Sequence, residues 1–144
     1  MDISKAEKYL KLAEFQAELF SKDPSTKVAA LVIDDNYNIR STGFNGFPRG
    51  FEEKEERWEK PTKYDYVVHA EANSVCSAAR NGASLDGCTL VSTLFPCQDC
   101  AKLIIQAGIT HIITRKPDED STWLQSFEKS KEMFGECNVE IVYI

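Results

Sequence analysis

No apolar run in this chain of 144 residues approaches the ~20 that a membrane-spanning helix needs. The opening Met-Asp-Ile-Ser-Lys scatters charges among apolar residues, which is not the pattern of a secretory leader. Repeats and low-complexity tracts are missing as well. Basic charge is in deficit: 17 Lys and Arg against 23 Asp and Glu leave a formal charge of −6. That argues against a dedicated nucleic-acid binder, which displays a broad basic footprint. A few local cations still suffice for a small phosphate ligand. Histidine is rare, with only His69 and His111. Neither Cys nor His precedes His69, so the N-terminal part of the chain offers no soft metal ligands.

What is present reads as an ordinary globular composition, 42% hydrophobic and 28% charged. One domain over residues 1–144 is expected, large enough to bury ~68–70% of its unfolded surface. Five cysteines without a secretory signal form an odd set, the pattern of reduced thiols in a cytoplasmic setting.

Two short runs carry the chemistry, His69-Ala70-Glu71 and Pro96-Cys97-Gln98-Asp99-Cys100. Cys97 and Cys100 are three apart, so a helix opened by Pro96 would set both on one face of its first turn. There the helix N-terminus favours thiolates. His69 can meet them only through tertiary folding. A closed structural zinc site takes four protein ligands, whereas a catalytic one takes three and leaves a position for water. His69, Cys97 and Cys100 make three, and Glu71 is a carboxylate that need not bind metal. Such a carboxylate beside a zinc-activated water can carry protons to a substrate nitrogen.

Along the chain, Ser4–Phe20 has helical periodicity and an apparent Ser4/Glu7 capping box, and the Lys22-Asp23-Pro24 stretch stops it. Segments 27–33 and 38–44 suggest a hairpin turning at Asp34-Asp35-Asn36. Gly43–Gly50 is dense in turn formers and reads as a loop, and the charged run 52–60 as a solvated excursion. Helix is expected from Ala70 to Arg80, stopped by Asn81-Gly82, then strand over 88–94 and helix from Pro96 to about Ala107. A short strand over 110–114, a helix capped by Thr122 and Gln125, and a closing strand over 139–144 complete the order. Strands alternating with helices imply crossover connections and partly parallel pairing. The expected fold is α/β, a three-layer α/β/α sandwich on a mixed sheet of about five strands.

The arrangement H-x-E…P-C-x-x-C is the signature of zinc nucleobase deaminases. Four segments extend the likeness: Ser21–Ser25, Gly43–Gly50, Lys63–Glu71 and Leu94–Gly108. Through them the chain resembles the cytidine deaminase-like superfamily and, within it, the deoxycytidylate (dCMP) deaminases. The resemblance implies one Zn2+ on His69, Cys97 and Cys100, Glu71 as the proton shuttle, and Asn45 as a hydrogen-bonding partner of the sugar. It also implies a hexamer, hydrolysis of dCMP to dUMP for thymidylate synthesis, and effector control by dCTP and dTTP, with Mg2+ accompanying the effector. The chain departs from the family near the effector loop, where Phe51 stands in place of a common cysteine. It departs again at Arg115-Lys116-Pro117-Asp118.

Candidate substrate contacts beyond Asn45 are Ala70, Phe95 beside the cysteine motif, and Tyr66 ahead of His69. Lys22 and Arg115, with Lys27, Arg49 and Lys63, are candidate phosphate contacts. Cys76, Cys88 and Cys137 read as core or incidental thiols, and His111 as a structural histidine. Trp58, Trp123 and the tyrosines could stack a base, but aromatics more often fill cores. Besides dCMP deamination, three functions stay open: a dCMP/dCTP bifunctional enzyme, a nucleic-acid base deaminase, and a noncatalytic zinc-stabilised module. Glu71 speaks against the last and the −6 charge against the nucleic-acid reading.

Overall fold

The protein is described by a computed structural model covering residues 1–144. Five strands form one sheet in the order β2-β1-β3-β4-β5. They are β1 (Ala29–Ile33), β2 (Ile39–Phe44), β3 (Thr89–Ser92), β4 (His111–Thr114) and β5 (Glu140–Tyr143). β1 runs antiparallel to both β2 and β3, whereas β3, β4 and β5 are mutually parallel. The helices are α1 (Ile3–Phe20), α2 (Lys63–Tyr66), α3 (Ala70–Asn81), α4 (Gln98–Gln106) and α5 (Leu124–Glu136). A 3-10 turn at Glu55–Trp58 is the only regular structure in the charged excursion.

Alternation along β1 separates the two cores. Leu31 and Ile33 face α1, packing with Ala6, Leu10 and Ala13. Ala30 and Val32 face the other way, toward Ala70 and Ala78 of α3, Ile104 of α4, and Phe127 and Phe134 of α5. Every residue of β1 is buried, as a strand covered on both faces requires. The three-layer α/β/α architecture expected from the alternation of elements is what the chain adopts.

Three local expectations are corrected. Helix α1 begins at Ile3, because the Asp2 carboxylate accepts the Lys5 N–H at 2.9 Å and caps it, so Ser4 and Glu7 form no box. Helix α4 begins at Gln98, with Pro96 outside it and Cys97 in extended geometry as the N-cap. Its Gln98 N–H is satisfied from outside by Ser126 Oγ of α5 at 2.9 Å. Helix α5 begins at Leu124 without any side-chain cap.

Gly43 is what allows α3 to lie directly on β2. A Cβ there would collide with the Ala70 carbonyl oxygen and the Ser74 nitrogen. Asn73 Nδ2 donates to the Phe44 carbonyl at 2.7 Å across the same contact. The loop after β2 is pinned to the approach to α3 by paired backbone hydrogen bonds between Gly46 and Val68. The first turn of α3 is thereby fixed against the end of β2.

Candidate active site

His69 is the N-cap of α3 and Cys97 the N-cap of α4, each in extended backbone geometry. Their helices pack side by side, and Cys100 lies in the first turn of α4. His69 Nδ1 is therefore 3.3 Å from Cys97 Sγ and 3.5 Å from Cys100 Sγ. The three ligand atoms lie within 4.8 Å of one another. Two buried sulfurs and one imidazole nitrogen converging this way match the donor set and number that zinc takes in catalytic sites.

The protons on this triad follow from the same closeness. The hydrogen bond from Cys100 first, then His69, pull the Cys97 thiol down to about 4. Its proton held against Cys97, and then burial, push the Cys100 thiol up. The bond to Cys97 raises the His69 imidazole, outweighing burial. Metal binding at such a cluster displaces whatever protons its donors still carry.

Glu71 follows in the first turn of α3 and is 4% exposed. Burial raises its carboxyl above the usual range, opposed by its own backbone N–H and by Ser92 Oγ, 2.8 Å from Oε1. His69, Ala70, Glu71, Phe95 and Cys97 all line one cavity of about 220 Å³ beyond the carboxyl end of β3. That is where α/β sheets place their ligands. Val28, Thr26 and Asn45 also line it, as do Tyr64 and Trp123, whose ring centroids are 6.0 Å apart. The Trp123 ring stands edge-on to the His69 ring, 6.0 Å between centroids.

Asn45 is at the cavity, but its amide is fully used by the protein. Oδ1 accepts from Ser21 Oγ at 2.6 Å and Val28 N at 2.9 Å. Nδ2 donates to the Thr26 carbonyl at 2.8 Å and more loosely to Asp23 Oδ2 at 3.3 Å. A sugar hydroxyl would reach it by replacing that longest contact. Lys63 is buried beside it, donating to Asp23 Oδ2 at 2.7 Å and Ser25 Oγ at 3.1 Å.

Five sequence candidates lie off the cavity. Lys22 pairs with Glu53 and Arg115 with Glu14, both on the surface. Tyr66 points to Phe51 and Arg57 instead, because the short helix α2 turns Tyr64 and Val67 inward. Lys27 borders a separate hollow with Glu14 and Glu18, and Arg49 is exposed. Cys76 is exposed, not core: His69 precedes α3, so helical spacing counted from it does not apply. Polar cavity residues not named as site candidates from the sequence are Asp23, Thr26, Lys60 and Thr122.

Asp23 gives a pH-dependent expectation. Burial would raise its carboxyl, but Lys63 and the Ser25 and Thr26 backbone N–H groups prevail and hold it below the usual 3.8. Its folded value lies under its unfolded one, so the stabilisation is present above about pH 4 and is lost as pH falls through the folded value. Asp23→Asn leaves Lys63 buried without its counter-charge, a loss of about 3–5 kcal/mol near neutrality. Melting temperatures from pH 7 down to 3 should show the two proteins far apart above pH 4 and converging below it. A constant gap across the range would show that the ion pair is not the cause.

Residues 3–116 match the family described as the cytidine and deoxycytidylate deaminase zinc-binding region. An uncharacterized deaminase of Aliivibrio fischeri is 38% identical over 141 residues, covering 96% of this chain and 92% of that protein. The deoxycytidylate deaminase of Mus musculus is 41% identical over 111 residues, covering 73% of this chain but only 61% of the mouse protein. A crystal structure of dCMP deaminase from the cyanophage S-TIM5, in complex with dCMP and dUMP, superposes with a TM-score of 0.81. It is 30% identical and covers 100% of this chain and 99% of the phage one. With its three metal donors, its buried glutamate and this match over most of its length, the chain belongs to the cytidine and deoxycytidylate deaminase family.

Proposed function

We infer that the protein hydrolytically deaminates dCMP to dUMP, a product suited to thymidylate synthesis. The observation that carries this is the buried Glu71 sharing one cavity with His69 and Cys97, which with Cys100 form the donor set. The phage enzyme's complex with dCMP and dUMP supports the substrate. Those three residues would hold zinc, which when bound would supply a water acidic enough to yield hydroxide near neutral pH. Glu71 would accept a proton from the attacking water and deliver it to N3 of the cytosine ring as oxygen adds to C4. Glu71 would then pass the proton of the new C4 hydroxyl to the amino group, which leaves as ammonia as the C4–N bond breaks, giving uracil. Val28, Phe95 and Trp123 line the space the ring would occupy.

Of the two cavity lysines, Lys63 is committed to Asp23, which leaves Lys60 for the phosphate. A charge-assisted contact is worth about 1.5–3 kcal/mol, or about ten- to a hundredfold. The expected order of kcat/KM is therefore dCMP well above deoxycytidine, with Lys60→Ala narrowing the gap. Rates on deoxycytidine, dCMP, dCTP and a tRNA hairpin at one salt concentration test this. Deoxycytidine equal to dCMP removes the nucleotide assignment, and dCTP in the lead makes the bifunctional reading the better one.

A homo-oligomer, with a hexamer favoured, belongs to the same proposal. It is supported by the apolar residues that α1 leaves exposed, Leu12, Phe15 and Leu19 among them. A cytoplasmic location is supported by five free cysteines. Response to dCTP and dTTP with Mg2+ rests on the family resemblance, with the aromatic loop around Phe47, Phe51 and Trp58 as its candidate place.

A further inference from the structure

Ser92 ends β3 with no exposed surface. Its Oγ lies 2.8 Å from Glu71 Oε1 and 2.8 Å from the Leu94 carbonyl oxygen. A serine hydroxyl has one proton to donate, and both of these neighbours are oxygens. It cannot serve the two at once. Whichever of the two it serves, the hydroxyl sits at hydrogen-bond distance from Glu71 Oε1, beside the carbonyl of a residue that lines the cavity. The carboxyl group is held by one oxygen, and Oε2 is the atom left for the reacting groups.

We propose that Ser92 is a positioning residue for deamination: its fully buried hydroxyl holds Glu71 Oε1 and so fixes the line along which Oε2 meets the reacting groups. The proposal rests on Glu71 being the proton carrier. A glutamate reached through a free rotor would spend most of its time out of line with N3 and the leaving amine, and catalytic groups lose rate steeply with misplacement. The side chain at position 92 therefore acts on turnover and not on substrate binding.

The test is a double-mutant cycle on zinc-loaded protein, with kcat, KM, zinc content and melting temperature read for each variant. Ser92→Ala should lose about ten- to a hundredfold in kcat, the range of one hydrogen bond to a charged group. Its KM should stay within about twofold and its zinc content should be unchanged. Ser92→Thr, which keeps the hydroxyl, should recover most of the loss. In a Glu71→Gln background, Ser92→Ala should cost no further rate in single turnovers, because Ser92 acts through that carboxylate. Wild-type kcat in Ser92→Ala overturns the proposal, since Ser92 then serves only the Leu94 carbonyl. An equal fold-loss in both backgrounds overturns it too. The ratios are taken on whichever cytosine compound the wild-type protein turns over fastest, so failure of the dCMP assignment leaves this test intact.

Discussion

Glu71→Gln is expected to fold, to hold its zinc and to deaminate several orders of magnitude more slowly. The side chain is 4% exposed, so the substitution must fit a closed space, and the amide is nearly isosteric with the carboxyl. Its carbonyl oxygen can still accept from Ser92 Oγ, which keeps the local packing intact. The metal donors are His69, Cys97 and Cys100, and none of them is touched. What the amide cannot do is take a proton from water and give it back. Positioned acid–base groups are worth ~10²–10⁴ in rate, and this one is used in two transfers of the same turnover. Ammonia release by the zinc-replete variant, with its metal content measured alongside, decides the matter. A variant that holds one zinc per chain and turns over near the wild-type rate would show that some other group carries the proton.

That His69, Cys97, Cys100 and Glu71 would come together was legible in the sequence, because their spacing is local within each half and their residue types are chemically restricted. The order of elements was legible for the same kind of reason: periodicity, the αL stop at Gly82 and the turn-rich loop are short-range signals. Strand order was not. The β1–β2 hairpin was expected, but the antiparallel pairing of β1 with β3 joins residues as far apart as Ala30 and Ser92 and has no local signal. The Asp23–Lys63 pair was hidden likewise, since each residue alone reads as a surface charge and only the fold buries them together. Lys22 and Arg115 were plausible cations whose nearest carboxylates, Glu53 and Glu14, could not be foreseen from spacing. Trp123 was one of several aromatics that could stack a base, and only the fold, which brings it to the cavity, separates it from the others.

Cys97→Ala should lose metal and stability together, in contrast to the glutamate variant. Cys97 is the thiolate of the triad, held at about 4, and is the donor that needs least help from the metal to ionise. Removing it leaves His69 and Cys100, two donors where catalytic zinc takes three. The same residue is the N-cap of α4, and its carbonyl accepts the Ala101 N–H at 2.8 Å. An alanine keeps that backbone bond, so the helix itself should survive and the loss should trace to the metal. Zinc present at a thousandfold over its dissociation constant stabilises the folded state by about 4 kcal/mol. For a chain of this size each kcal/mol moves the melting temperature by about 2–5 °C. The zinc-loaded wild-type protein should therefore melt roughly 10 °C or more above Cys97→Ala. Adding a strong chelator should bring the wild-type protein down to the variant and leave the variant where it was. One zinc per chain retained in Cys97→Ala would remove Cys97 from the ligand set. A gap that persists after chelation would assign the loss to packing at the α4 terminus instead.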